Sequence, residues 1–278
     1  MAIDANRLRT EGVYESQAPL GSVTMDLEEI QQLAAAWRAS RKRCLIAGII
    51  TVLVGAVLLA AFWPAGVLLI PIGIGCFFWR SRYNKGVADG AKQCTAARAV
   101  TDMLNHDTAA QRPVSIRLAL GAAKEVVSEV TLANRRSGKQ RLYKVSWFRV
   151  EARLLDGTTF SETIDDLVRE RSFRNPRGKY KTKTRVRSIV SLCFAYPPDV
   201  YGNVSPLAER LQKEIHIPPS VVLKQFAAGE RQVKVKALVT KAEELAQATP
   251  MLALGVYRML NLSRRLAARA RRSKGGGQ

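Results

Sequence analysis

Residues 44–79 read CLIAGIITVLVGAVLLAAFWPAGVLLIPIGIGCFFW, a run of 36 residues without a charged side chain, asparagine or glutamine. A single helix of that length would be about 54 Å long, whereas the hydrocarbon core of a bilayer is about 30 Å thick. Divided in two, the run provides segments of roughly 17 to 19 residues, each long enough to cross a bilayer once. The stretch therefore predicts a pair of membrane-spanning helices.

A break is expected at the centre of this stretch, where residues 62–66 read FWPAG. Proline cannot continue a helix from the preceding turn, but it fits the first turn of a new helix. We therefore predict helices over 44–62 and 64–79, which together form a transmembrane hairpin. The second helix contains Pro71, Gly73 and Gly75, which leaves open a re-entrant hairpin that does not reach the far side.

Basic residues flank both ends of the apolar stretch. Positive charge next to a membrane span stays on the cytoplasmic side. Because both ends are basic, we predict an integral membrane protein with both termini cytoplasmic, which agrees with an even number of crossings. The anchors of this topology are Arg41, Lys42, Arg43, Arg80 and Arg82.

The net charge of +21 lies entirely after the apolar stretch, because residues 1–43 hold equal numbers of acidic and basic side chains. A surplus of this size predicts polyanionic partners. Membrane lipid, nucleic acid and an acidic protein all fit, and a homo- or hetero-oligomer stays open. The four cysteines and two histidines show no metal-ligand spacing, so neither a metal nor another cofactor is expected.

Three segments flank the predicted hairpin. Residues 1–23 lack periodicity and are predicted to be poorly ordered. Residues 24–43 carry apolar side chains at helical spacing and predict an amphipathic helix that leads into the first span. The alanine-rich residues 80–110 predict a helical connector, which serves as a spacer or as a contact with a second copy of the chain.

Residues 111–200 predict a basic, β-rich cytoplasmic domain. A long β-type run ends at Asp156-Gly157 and resumes at Thr158, which is a strong hairpin signal. In that run Phe148, Val150, Ala152 and Leu154 alternate with charged residues, so one face should be packed and the other exposed to water. The fold class expected is therefore an α+β membrane protein with a two-helix transmembrane hairpin, a cytoplasmic antiparallel β-rich domain and C-terminal helices.

The segment 169–187 holds nine basic residues and a single acid, Glu170. From Lys179 onward the cations alternate strictly with other residues, so in a strand they project from one face. The polyanion-binding residues predicted are Arg169, Arg171, Arg174, Arg177, Lys179, Lys181, Lys183, Arg185 and Arg187. The alternative is an edge strand whose cations only prevent pairing with other sheets, although one or two would suffice for that.

Residues 201–278 predict a helical region with a basic C-terminal tail. Its last apolar segment is too short to span a bilayer. A basic helix with an apolar face suggests a helix lying in the membrane interface, and a core helix with a solvated tail is the alternative. The membrane-surface residues predicted are Arg264, Arg265, Arg269, Arg271 and Arg272.

No catalytic pattern stands out, and we predict that the protein is not an enzyme. Glu162, Asp165 and Asp166 are the one carboxylate cluster considered, and we interpret Asp165 and Asp166 as capping a helical turn over 167–173. The function predicted is a membrane-anchored binding or scaffold protein that presents a cationic domain to a polyanion. The alternative is a non-catalytic inner-membrane subunit of a larger secretion, conjugation or defence assembly.

Overall fold

The computed structural model describes residues 5–80, 83, 85–132, 138–174, 178–209 and 217–275. The predicted anchor Arg82 and the predicted site residue Arg177 lie outside these ranges. The helices are α1 (Ala5–Thr10), α2 (Leu20–Ala61), α3 (Trp63–Arg80), α4 (Lys85–Asp89), α5 (Ala91–Asp107), α6 (Pro198–Tyr201) and α7 (Leu245–Gly275). The strands are β1 (Val13–Pro19), β2 (Pro113–Ala119), β3 (Glu125–Leu132), β4 (Gly138–Arg153), β5 (Thr159–Arg174), β6 (Tyr180–Ala195), β7 (Val221–Ala228) and β8 (Gln232–Val239).

All eight strands join one antiparallel sheet. The order is β1-β2-β4-β5-β6-β8-β7, and β3 pairs with the part of β4 that β2 leaves free. The predicted turn connects β4 to β5, with the Leu154 N–H donating to the Thr158 carbonyl (2.8 Å). Gly157 adopts a φ of +88° there, a conformation that glycine takes at no steric cost. The protein is therefore α+β with a large antiparallel sheet.

One face of the sheet is covered by helices. On β4, Phe148, Val150 and Ala152 are buried, whereas Arg149 and Glu151 between them are exposed, which confirms the predicted alternation. The buried side chains pack against α2, α5 and α7 in a single hydrophobic core. We call this the inner face of the sheet, and the opposite, polar face the outer face.

Helix α2 is continuous from Leu20 to Ala61, where the sequence predicts separate helices over 24–43 and 44–62. The basic residues that suggest a boundary are good helix formers, and no glycine or proline interrupts residues 35–43. The first half of α2 belongs to the core through side chains at helical spacing, which are Leu20, Val23, Leu27, Ile30 and Ala34.

The second half of α2 projects from the core with its large apolar side chains exposed, and so does α3. Leu53, Val57 and Leu68 are examples, each more than 60% exposed. Leu20–Leu59 includes a strongly apolar stretch that is only 11% buried. Among the described residues it is the one helical stretch long and apolar enough to cross a membrane, and Val67–Arg80 is a shorter apolar helix.

Helix α3 packs antiparallel against the second half of α2, and glycines allow the two backbones to approach closely. A Cβ atom on Gly73 would lie 2.7 Å from Val52 Cγ2 and 3.1 Å from the Gly48 carbonyl oxygen. A Cβ atom on Gly55 would lie 3.0 Å from Ile70 Cγ1. Small residues at such contacts are typical of helices that associate within a bilayer.

The N-terminal segment differs from its prediction as a poorly ordered region. Residues 13–19 form β1, which pairs with β2 along its whole length, and Tyr14 and Ala18 are buried. The Tyr14 hydroxyl donates to Asp26 on α2 (2.7 Å). A seven-residue strand shows too little periodicity to be recognised, because its order depends on a partner distant in sequence.

The connector predicted over 80–110 also differs, because it belongs to the core. It forms α4 and α5, and Gly90 lies between them. One face of α5 is buried through Cys94, Ala97, Val100 and Leu104. The alanines that suggest a spacer instead allow close packing against α2 and α7.

The helical region predicted over 201–278 is wrong in its central part, because Val221–Ala228 and Gln232–Val239 form strands β7 and β8. Helix α7 follows them and uses its apolar face in the core. Leu252, Val256, Met259 and Leu260 are buried, and Ser263 is the last buried residue along the described part of the helix. This arrangement favours the alternative of a core helix with a basic tail. Arg264, Arg265 and Arg269 are exposed on the continuation of α7, whereas the side chains of Arg271 and Arg272 lie outside the described part.

Candidate polyanion-binding surface

Parts of four strands extend beyond the hydrophobic core, and we call them the basic arm. The arm comprises all of β3, residues 138–146 of β4, residues 165–174 of β5 and residues 180–187 of β6. On β6, every residue from Tyr180 to Arg187 is exposed, whereas Ser188, Val190 and Leu192 are buried. This part of β6 is therefore exposed on both faces of the sheet. The strands of the arm are held by main-chain pairing rather than by a covering helix.

The register of β5 and β6 collects cations on one face of the arm. Arg169 lies directly opposite Arg185, and Arg171 lies opposite Lys183. Paired residues in an antiparallel ladder point to the same side of the sheet. We call the resulting surface the cationic face, which consists of Arg169, Arg171, Lys181, Lys183, Arg185 and Arg187.

The cationic face continues the outer face of the sheet. Ile164 and Val168 on β5 are both buried on the inner face. Successive side chains of a strand point to opposite faces, so Arg169 and Arg171 point to the outer face. Like charges directly opposite each other on a sheet destabilise it. Placing Arg169 against Arg185 and Arg171 against Lys183 therefore costs stability, unless an anionic partner offsets the repulsion.

The cationic face has few internal partners. The Arg169 guanidinium donates to Gln140 Oε1 (2.9 Å), and the Phe173 ring lies between Arg171 (5.9 Å) and Lys183 (5.7 Å). Within the described ranges none of the six cations forms an ion pair. Their charges are therefore available to an external anion.

Two acids of the arm are paired with cations on its other face. Glu129 pairs with Arg141 (3.2 Å) across β3 and β4, and Glu170 pairs with Lys124 (2.6 Å). Arg174 lies on this same face, where its Nε donates to the Gly178 carbonyl (2.8 Å). The arm thus has one face on which charges are paired. On its outer face, beyond the Lys144–Asp165 pair (3.1 Å), lie the six cations without an ion pair among the described residues.

The structure brings together six of the nine predicted polyanion-binding residues. Arg174 is on the opposite face, Lys179 lies in the turn before β6, and Arg177 is outside the described residues. The binding role of the nine residues stays a prediction.

An edge-strand role does not account for the whole cationic face. Residues 180–187 of β6 do form an edge, because β8 pairs with β6 only from Ser188 onward. However, Arg169 and Arg171 lie on β5, between β4 and β6. Cations on an interior strand do not protect an edge, so protection against sheet pairing explains only part of the pattern.

A second basic cluster lies where α2 leaves the core. The Arg38 Nε donates to the Ala88 carbonyl (2.8 Å), and Arg41 donates to the carbonyl of Tyr83. The rings of Trp37 and Tyr83 lie 6.3 Å apart. Lys42 and Arg43 are exposed. Tryptophan, tyrosine and basic residues are the side chains that anchor proteins at a membrane–water interface.

The carboxylates considered as a cluster do not converge on one site. The helical turn predicted over 167–173 is wrong, because these residues belong to β5. Asp165 is on the outer face, with Ser146 and Lys144 as partners (2.6 and 3.1 Å). Asp166 points inward and accepts from Ser188 (2.6 Å), and its burial raises its pKa.

Glu162 is fully buried beneath α7, a feature that the sequence did not indicate. Its Oε1 accepts from the Thr249 hydroxyl (2.5 Å), and its Oε2 has no hydrogen-bond partner among the described residues. Burial raises the pKa of Glu162 to about 8, because a charged carboxylate in an apolar setting is strongly disfavoured.

We expect Glu162 to make the protein less stable as the pH rises. The carboxyl is protonated in the folded state up to about pH 8, whereas its ordinary pKa is 4.5. Between these values folding takes up a proton, so the free energy of unfolding falls by up to about 1.4 kcal/mol per pH unit. Urea unfolding at several pH values measures this slope. Glu162→Gln should flatten it, and an unchanged slope in that variant would contradict the assignment.

Comparison of the chain with protein-family models, with curated proteins and with solved structures found no match.

Proposed function

We propose that this chain is a membrane-anchored binding protein that presents the cationic face of its basic arm to a polyanion. The observation that carries the proposal is the collection of six cations on one face of β5 and β6, in register and without ion pairs in the described part of the chain. A potential of one sign over such a surface concentrates anions and speeds their association.

Helices α2 and α3 are proposed to insert as a two-helix hairpin. The exposed apolar side chains of these helices form a continuous surface, far larger than the apolar patches that soluble proteins tolerate in water. Residues 44–61 of α2 would extend about 27 Å, which matches the hydrocarbon core of a bilayer. Trp63 at the turn between the two helices suits the opposite headgroup layer.

The sheet and both termini are proposed to lie on the cytoplasmic side. Arg41, Lys42 and Arg43 lie near one outer end of the hairpin, and Arg80 lies at the other. Cations near both ends favour the same compartment. The basic arm is then cytoplasmic, as is α7 with its basic continuation.

The topology predicts a definite labelling pattern. In a cysteine-free background, single cysteines at Met25, Trp63 and Tyr180 replace side chains that are each more than 65% exposed. An impermeant maleimide added to sealed inverted vesicles should label positions 25 and 180, and position 63 only after permeabilisation. Labelling of 25 and 180 from opposite sides would contradict the hairpin.

Removing four of the six cations of the cationic face should weaken polyanion binding. We expect the full-length protein with Lys181, Lys183, Arg185 and Arg187 changed to Gln to bind heparin about 100-fold more weakly at low salt, because the loss of these cations removes most of the local potential. Elution from immobilised heparin and titration in detergent measure the effect.

A matched control keeps the net charge equal. The far set consists of four exposed cations on the core half of the sheet, Arg153, Arg231, Lys234 and Lys236. Changing the far set to Gln should weaken heparin binding by less than about tenfold, because only long-range charge is lost. Equal losses in the two variants would show that binding follows net charge and not the arm.

A further inference from the structure

The direction of the basic arm follows from how α4 and α5 connect the sheet to α2. Helix α5 runs antiparallel to α2, since Arg98 pairs with Glu28 (2.6 Å) while Arg38 donates to the Ala88 carbonyl (2.8 Å). Ala88 therefore lies beside the point at which α2 leaves the core. Asp107, the last residue of α5, lies at the opposite end of the molecule.

The sheet has the same two ends, which we call the near end, where α2 leaves the core, and the far end, where α5 finishes at Asp107. At the far end, the Leu155 N–H in the β4–β5 turn donates to the Asp107 carbonyl (2.8 Å). At the near end, Gly86 packs so closely against the backbone of Leu120 and Gly121 that a Cβ atom has no room. Strand β2 thus ends at the level where the apolar helices leave the core.

The basic arm continues past this level in the same direction. Leu118 is the last residue of β2 paired with β4, opposite Phe148, and Phe148 lies opposite Ile164 of β5. From Ile164 to Arg174, β5 extends another ten residues, about 33 Å at the usual rise. The distance along α2 from Arg38 to the start of the apolar stretch is only about 9 Å. The arm is therefore long enough to reach the bilayer surface.

We propose that the basic arm binds the anionic phospholipid headgroups of the same bilayer that holds α2 and α3, an inference that rests on the proposed membrane insertion. Charge complementarity favours this ligand, because cations within about a Debye length of an anionic leaflet are attracted to it. The continuous helix α2 also holds the arm near the headgroups, so their effective concentration is high. A nucleic acid or an acidic protein would have to displace them.

The experiment measures the distance between arm and membrane in the full-length protein. A fluorescent donor is attached to a cysteine at Thr184 on the arm, in a cysteine-free background, and the protein is placed in nanodiscs that carry acceptor-labelled headgroups. Gln232, exposed at the far end of β8, provides the control position. Nanodiscs of phosphatidylcholine are compared with nanodiscs that also contain phosphatidylglycerol.

We expect energy transfer from position 184 to exceed that from position 232 in the phosphatidylglycerol nanodiscs. Transfer from 184 should fall by about half at high salt, because screening weakens the attraction. It should fall similarly when Lys181, Lys183, Arg185 and Arg187 are changed to Gln, whereas the Gln changes in the far set should leave it unaltered.

Two outcomes would overturn the inference, and they differ in whether the proposed polyanion-binding function is also contradicted. If transfer from 184 stays at the level of 232 while heparin, DNA or protein-free vesicles still bind through the arm, the polyanion function stands and the ligand is not the arm's own membrane. If transfer is absent and heparin binding does not depend on the arm, the proposed function fails as well.

Discussion

A protein from which residues 44–79 are removed and replaced by a short glycine-serine linker is expected to be soluble and folded. The second half of α2 and α3 pack against each other and leave most of their apolar side chains exposed. The core uses the first half of α2, up to Ala34. Deletion therefore removes the apolar surface and keeps the sheet with its covering helices.

Fractionation after alkaline extraction measures this effect. The intact chain should remain with the membranes and the shortened chain should move to the supernatant, with unchanged arm-dependent binding to heparin. A shortened chain that is folded yet still membrane-bound would place the anchor elsewhere.

A complementary variant is Leu53→Lys, since Leu53 is 62% exposed. The change is harmless in water, but near the centre of a bilayer it costs about 3 kcal/mol and should impair insertion.

Phe194→Ala should cause the largest loss of stability of any single substitution considered. Phe194 is fully buried on β6, with its ring 5.1 Å from Phe160 on β5 and 5.7 Å from Tyr257 on α7. Truncation leaves a cavity where the sheet meets α7, and the expected decrease in the free energy of unfolding is about 3–5 kcal/mol. Urea unfolding of the shortened, soluble chain measures the decrease.

The matched control for this prediction is Phe173→Ala. Phe173 lies on the same sheet but on the basic arm, half-buried between Arg171 and Lys183. Its loss should cost about 1 kcal/mol or less, because little apolar area is removed from water at this site. Comparable losses from the two changes would mean that the arm is as much a part of the core as the inner face.

Local patterns predicted much of the architecture. Strict alternation in β4 and the Asp156-Gly157 turn were sufficient to predict an antiparallel hairpin with one packed face. Likewise, alternation from Lys181 to Arg187 was sufficient to predict cations on one face of a strand. These features can be predicted from the sequence because the period of a strand and the conformation of a turn are set by neighbouring residues.

Features that depend on distant partners were not predictable. Arg169 and Arg171 join the cationic face only through the register of β5 with β6, and residues 167–173 lack strict alternation, which led to the incorrect helical turn. The burial of Glu162 depends on α7 lying above β5, about ninety residues later in the chain. Residues 13–19 are a strand only because β2 pairs with them.

The uninterrupted course of α2 has a mechanical consequence. The helix continues without a break from Leu20, which follows β1, to Ala61, and only Phe62 separates it from α3. No flexible joint therefore lies between the apolar half of α2 and the sheet with its covering helices. A change in tilt imposed at the apolar end must rotate the whole sheet as a lever. The β4–β5 turn, at the end of the sheet opposite the apolar helices, would then sweep through the largest arc.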